Sequence, residues 1–301
     1  MPPGDGPATG TGDPGELAEA EAVFHAARGR MFGIAYRMVG SVGEAEDILQ
    51  EVWIRWQSCD RSQVLNPPAF LTTTTTRVAI DALRSARVHR ETCVGPWLPE
   101  PVDTAGDPAL GAERAEALEI AVLMLLEKLT PTQRAAYVLR EAFDYPYEQI
   151  AEIIGRTKEN ARQAVSRARR LLAEERRVSV ATAEHQRLLT AFVAAARSGD
   201  VSELEELFAR DVVSFADGGG AVRASKFPVQ GRRRVARYVR AFAGVFWSGA
   251  VVEPVEVNGR PAVRLSREGR TVAVVTVGAT ADGIDRLLWL MNPAKLTVLD
   301  A

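Results

Sequence analysis

The sequence predicts a multidomain chain: two all-α domains, the second with a helix-turn-helix, then an α+β unit built on a curved sheet packed against helices. Three observations lead there. Apolar residues recur at spacings of three and four over much of the stretch from Glu21 to Arg177. Within it, GRTKENARQAVSRARR (155–170) sets six basic side chains against the single acid Glu159. Beyond Arg177, the β-rich runs VVEPVEV, PAVRLS, TVAVVTVG and IDRLLWL are separated by Asn258-Gly259, Glu268-Gly269 and Asp282-Gly283, pairs that suit hairpin turns.

Composition bounds the function. With 301 residues and 47% hydrophobic residues, the chain can fill two domains of ordinary size. The apolar run Ile120–Leu126 is seven residues long, far short of the roughly 20 a bilayer requires, so no membrane span is expected. The start, MPPGDGPATGTGDPGE, lacks the basic and apolar regions of a secretory signal and reads as a disordered tail over residues 1–20. A cytoplasmic protein is expected. Cys59 and Cys93 have no metal or redox spacing, and neither a metal nor a cofactor is expected.

The helical part divides in order. Val23, Phe24, Ala27, Met31, Ile34, Ala35 and Met38 make one apolar stripe, closed by Gly40. Ser41-Val-Gly-Glu44 has the capping-box form and opens a helix with Ile48, Val52, Trp53 and Trp56 inside. After the loop CDRSQVLNPP a third helix is expected over about Pro67–Arg90. The five threonines Thr72–Thr76 favour strand, so a local strand remains the alternative. Residues 93–113 read as a linker whose stiff element is WLPEP (Trp97, Leu98, Pro99, Glu100, Pro101). Helices resume near Leu110, and Thr130-Pro-Thr-Gln133 is a second capping box.

YPYEQIAEIIG then ends a helix at Gly155, and Thr157 caps the next, whose inner face is Ala161, Ala164, Val165, Ala168, Leu171 and Leu172. The outer face carries Lys158, Asn160, Arg162, Gln163, Ser166, Arg167 and Arg170. Such side chains neutralise phosphates or pair with base edges, so they are candidate DNA contacts; a solvated arginine face is the plainer alternative.

LTPTQRAAYVLREAFDYPYEQIAEIIGRTKENARQAVSRARRLL resembles region 4 of bacterial RNA polymerase sigma factors, which reads the −35 element. GSVGEAEDILQEVWIRW with PPAFLTTTTTRVAIDALRSARVHRE is similar to region 2 of the extracytoplasmic-function class. WLPEP, Asp217-Gly218-Gly219-Gly220 and Asn292-Pro293-Ala294-Lys295-Leu296 resemble the marks of a SigJ-like subgroup with a fused C-terminal SnoaL-like domain, in which Ala221 and Ala294 replace a usual lysine and aspartate. The resemblance implies a region 2 domain over 21–92, the linker, a region 4 domain over 114–177, a connector over 178–185 and a cone-shaped α+β barrel over 186–301.

It also implies roles. Glu46, Asp47, Glu51 and Trp53 would meet the β′ clamp helices of polymerase core, and region 4 the β flap. Asp60, Arg61 and Asn66 would form the −10 pocket, with Thr76, Arg77, Arg84, Arg87 and Arg90 holding the strands. Trp97–Pro101, Asp217–Gly220, Asn292, Pro293, Lys295 and Leu296 would regulate the sigma module in cis. The implied partners are polymerase core and promoter DNA, with no membrane, a monomeric chain and a possible small ligand in the barrel. Catalysis would need a buried carboxylate, for which Asp211, Asp217 and Asp285 are candidates, with Arg264, Trp247 and Trp289 beside them. The runner-up is a core-independent DNA-binding regulator whose barrel senses a ligand or acts as an enzyme.

Overall fold

The computed structural model describes residues 14–90, 95–104, 118–173 and 178–300. Helices α1 (Pro14–Val39), α2 (Val42–Ser58) and α3 (Pro67–Arg90) form the first unit. Helices α4 (Ile120–Leu126), α5 (Pro131–Glu141), α6 (Tyr147–Ile154) and α7 (Lys158–Ala173) form the second. The last unit runs α8 (Thr182–Ser198), α9 (Val201–Leu207), β1 (Phe208–Asp217), β2 (Val229–Gln230), α10 (Arg232–Phe246), β3 (Val251–Val257), β4 (Arg260–Arg267), β5 (Arg270–Thr280), β6 (Gly283–Leu290) and α11 (Pro293–Leu296).

Local signals account for most of these boundaries. Ser41 accepts the Glu44 N–H at the start of α2, and Thr130 with Gln133 closes both halves of its capping box. Gly155 ends α6 in the left-handed region at φ 63°. The threonine run is helical: Thr74, Thr75 and Thr76 donate their hydroxyls to the carbonyls of Phe70, Leu71 and Thr72, four residues back, so the polar atoms of a buried helix face satisfy themselves. One expectation is corrected. Residues 14–20 belong to α1 and not to a tail, because Ala20 is buried and its carbonyl accepts the Trp56 indole N–H at 3.0 Å.

The sheet has the order β2-β1-β6-β5-β4-β3, antiparallel except where β1 lies parallel to β6. Asn258 and Gly259 have φ of 54° and 71°, the two positive values a tight hairpin between β3 and β4 requires. One face of the sheet packs on α8 and α10 around Phe192, Val235, Val239, Leu265, Val275 and Trp289. The other holds Val257, Ala262, Val274, Leu288 and Leu290 against Leu98 of the linker and Ile120 of α4. With both faces covered, β5 and β6 carry near-continuous apolar runs instead of alternation.

The two helical units share one core, which runs from Ala20 to Leu172. Gly33 lets them close: a Cβ there would lie 3.2 Å from the Phe143 ring. That ring is met by the guanidinium of Arg37 at 5.2 Å. Arg134, buried, donates to the Arg37 carbonyl at 3.1 Å and to Glu127.

His185 of α8 is buried, and its Nε2 donates to the Val277 carbonyl at 2.7 Å. Burial holds its pKa below the ordinary histidine value, roughly 6.5. Below that pH the unfolded chain takes up a proton that the folded chain refuses, so stability falls as pH falls from about 7. His185→Gln, which keeps a donor and removes the titration, should flatten the low-pH part of a urea-unfolding stability profile relative to the parent.

Candidate nucleic-acid interface and interdomain latch

The seven side chains expected to face DNA on α7 are all exposed. Thr157 accepts the Asn160 N–H at 3.2 Å and so starts the helix as expected. Ala161, Val165, Ala168 and Leu172 are buried beneath, which fixes the outward direction of Lys158, Asn160, Arg162, Gln163, Ser166, Arg167 and Arg170. The face is partly held in place by its own unit. Lys158 pairs with Glu148, whose carboxyl is thereby held below the usual carboxylate range, and Arg162 lies over the Tyr147 ring at 5.4 Å. Arg167 donates to Gln163 at 3.4 Å.

The residues expected at the −10 element are differently placed. Asp60 accepts from the Ser62 N–H and hydroxyl, and Asn66 accepts the Ala69 N–H, so both serve as caps. Arg61 donates to the carbonyls of Trp56 and Gln57. Arg84 is exposed beside Asp81 at 3.0 Å. The side chains of Arg87 and Arg90 lie outside the described residues, as does Cys93. One expectation is corrected in this arrangement, and a second residue is engaged elsewhere. Thr76 is fully buried, with its hydroxyl bound to the Thr72 carbonyl. Arg77 donates to the carbonyls of Ile153 and Glu152, both at 3.0 Å, and so caps the C-terminal end of α6. Thr76 is thus closed to a nucleic-acid strand in this arrangement, whereas Arg77, though exposed, is engaged with the helix-turn-helix.

On α2, Glu46 receives a two-pronged bond from Arg28, both at 2.7 Å, and Glu51 binds Arg55 at 2.8 Å. Trp53 is half-buried edge-on to Phe24, with ring centroids 5.0 Å apart. Asp47 is exposed, and Ile54 is an exposed apolar side chain on the same helix. Leu65, in the loop between Asp60 and Asn66, is completely exposed.

The three segments marked as regulatory converge on one buried carboxylate. Asp217, at the end of β1, accepts on Oδ2 from the Leu98 N–H at 3.0 Å and from Lys295 Nζ at 2.7 Å, and on Oδ1 from the Gly219 N–H at 3.0 Å. Lys295 also donates to the Leu98 carbonyl at 2.5 Å and lies 4.5 Å from the centre of the Trp97 ring. Each charge is thus desolvated only where it is paired and bonded. The glycines are steric requirements. A Cβ on Gly218 would meet the Val222 carbonyl oxygen at 2.3 Å, and one on Gly219, at φ 59°, would meet Asn292 at 2.3 Å. Asn292 caps α11 by accepting the Ala294 N–H; Pro293 and Ala294 are exposed, and Leu296 is buried with Leu98. Ala221 is exposed too, so the charges replaced at 221 and 294 are not needed for this pairing.

The other half of WLPEP grips the first unit. Glu100 accepts the Ser41 hydroxyl at 3.0 Å and the Val42 N–H at 2.5 Å, and its carbonyl accepts the Tyr36 hydroxyl at 2.6 Å. Gly40 makes room for Trp97, whose ring lies 2.7 Å from where a Cβ would be. Pro99 and Pro101 are buried.

One residue in this assembly escaped the sequence reading except as a turn. Asn258 is buried at the tip of the β3–β4 hairpin. Its Nδ2 donates to Tyr36 Oη at 2.8 Å and to the Leu118 carbonyl at 3.0 Å, and its Oδ1 accepts the Val102 N–H at 3.0 Å. Its own N–H donates to the Val102 carbonyl at 2.9 Å. Burial pushes the Tyr36 hydroxyl far above the ordinary tyrosine range, so it stays protonated. Nearby, Arg260 pairs with Glu119 at 2.7 Å, which ties the same hairpin to the start of the second unit.

Two family descriptions match the chain: Sigma-70 region 2 over residues 23–88, and Sigma-70, region 4 over residues 119–172. The "ECF RNA polymerase sigma factor SigJ" of Mycobacterium tuberculosis (strain ATCC 25618 / H37Rv) is 37% identical over 72% of this chain and 70% of its own length. The chain belongs to the ECF RNA polymerase sigma factors. The "Probable ECF RNA polymerase sigma factor SigI" of M. tuberculosis (strain CDC 1551 / Oshkosh) is 30% identical over 93% of this chain and 96% of its own. The crystal structure of M. tuberculosis SigJ superimposes with a TM-score of 0.73 at 30% identity, covering 94% of this chain and 98% of that one. The likeness therefore extends through the C-terminal α+β unit, in keeping with the fold class expected from the sequence.

Removing Lys295 leaves the Asp217 carboxylate buried without its counter-ion, a loss of about 3–5 kcal/mol for a pair of this kind. Lys295→Met should therefore lower the urea midpoint sharply, whereas Asp217→Asn combined with Lys295→Met should recover much of the loss.

Proposed function

We propose that this sigma factor directs polymerase core to its promoters from a closed resting arrangement that the C-terminal unit holds in cis. The observation that carries the proposal is the double use of Arg77, which lies on the helix assigned to −10 DNA yet is occupied in capping α6 of the helix-turn-helix. It cannot hold a DNA strand and that helix end together. The α7 face, by contrast, is open, so −35 contacts are available before those at −10. Core binding would separate the two helical units and fix their spacing, which makes the second DNA contact effectively intramolecular.

In this reading Glu46, Asp47, Glu51 and Trp53, joined by the exposed Ile54, meet the β′ clamp helices, and region 4 meets the β flap. Arg84, Arg87 and Arg90 remain the −10 strand contacts, with Asp60, Arg61, Leu65 and Asn66 around the flipped base. Lys158, Asn160, Arg162, Gln163, Ser166, Arg167 and Arg170 read the −35 element. The latch at Asp217, Lys295 and WLPEP sets how readily the units part. The chain acts in the cytoplasm as a monomer and performs no chemistry of its own.

Run-off transcription with purified core, on the region upstream of the chain's own operon, tests the proposal. Transcripts should appear only when the chain is added, and Arg162→Ala with Arg167→Ala should reduce them at least tenfold. Core-independent binding to that DNA, with no transcript, would overturn it. Asn258→Gly keeps the positive φ but leaves its buried partners unbonded, at a cost of about 2 kcal/mol. It should open the resting arrangement and raise transcript yield at limiting core; an unchanged yield would show that the closed arrangement does not restrain the factor.

A further inference from the structure

The stretch from Gly218 to Val252 contains seven basic residues and not one Asp or Glu, in a chain whose formal net charge is −2. Five of the seven, Arg232, Arg233, Arg234, Arg237 and Arg240, lie on α10, and all five are exposed. None of them makes an ion pair or side-chain hydrogen bond among the described residues. Other surface arginines are neutralised by a carboxylate, as Arg28 is by Glu46 and Arg169 by Glu141.

The arrangement is unfavourable for the helix itself. Three arginines occupy the first turn, where the helix dipole is positive. Arg233 and Arg237 are four apart, while Arg234 and Arg237, and Arg237 and Arg240, are three apart, so like charges face one another along the surface. Nothing in the fold requires this, since the packing of α10 rests on Val235, Ala236 and Val239 on the opposite side. A local rule broken without a compensating contact marks a functional surface.

Its geometry suits a polyanion. Arg233, Arg237 and Arg240 form a stripe about 10 Å long at 1.5 Å per residue. Exposed Ala241 and Gly244 continue that side of the helix, and a Cβ at Gly244 would meet nothing within 4 Å. We infer that the outer face of α10 is a second, sequence-independent DNA-binding surface that contacts the phosphate backbone of duplex DNA through Arg233, Arg237 and Arg240. The inference rests on the reading that the chain works on promoter DNA. It adds a contact outside both sigma regions, one that supplies affinity and not sequence choice.

The test is fluorescence anisotropy of the full chain on a labelled random-sequence 40-base-pair duplex between 50 and 200 mM KCl. Each phosphate contact contributes about −0.9 to the slope of log K against log salt. R233E/R237E/R240E should raise Kd at 50 mM KCl by more than tenfold and flatten the slope by about 2 to 3, while R233K/R237K/R240K stays near the parent. Unchanged affinity and slope in the charge-reversed chain would overturn the inference. So would an unchanged DNA result together with loss of capture by phosphatidylserine vesicles or by polymerase core, either of which would assign the patch to another partner. R162E/R167E on the same duplex serves separately: its loss of binding supports the recognition helix whatever α10 does, so the two readings fail independently.

Discussion

The arrangement of this chain depends on the side chain of Asn258. A carboxamide has two donors and an acceptor, and here the donors reach Tyr36 of α1 and the Leu118 carbonyl before α4, while the acceptor takes the Val102 N–H of the linker. Three segments far apart in sequence thus meet on one group, held at a hairpin tip whose backbone only a few residue types accept. The site is buried, so any partner that leaves exposes its counterpart as an unmet polar group, and the three segments stay or part together.

Around that point the C-terminal unit behaves as a clamp and not as an appendage. Its sheet buries Leu98 and Ile120 on the face opposite its own helices, and the Asp217–Lys295 pair closes over the linker from the far edge. The linker in turn grips the α1–α2 corner through Glu100. Region 2 and region 4 share a hydrophobic core in which Phe143, Arg37 and Arg134 interlock. Arg77 of α3 adds a polar tie between the two units at the carbonyls that end α6.

Much of this was legible in the sequence, and for local reasons. The N-cap at Ser41, the capping box at Thr130, the glycine stop at 155 and the Asn-Gly and Glu-Gly turns are short-range signals, and each lies where it was expected; the Asp-Gly turn is shifted by one residue, to Ala281-Asp282, with Gly283 opening β6. The exposed side of α7 followed from its inner stripe. What failed was non-local. Thr76 and Arg77 have the residue types of a strand-holding face, but Thr76 is buried and Arg77 is drawn to the carbonyls that end α6, and no spacing within α3 reveals that. Asn258 was visible only as a turn residue, since its hydrogen-bond partners are as much as 222 positions away. One signal of the second layer was present and unread: TVAVVTVGAT does not alternate, which is how a strand covered on both faces reads.

The most direct test is an electron–electron distance measurement between spin labels at S85C on α3 and S166C on α7, in a chain carrying C59S and C93S. The free chain should give a single narrow distance distribution, because region 2 and region 4 are held together, and adding polymerase core should lengthen it. A distribution that is broad in the free chain, or one that core binding leaves unchanged while the complex transcribes, would contradict the closed resting state.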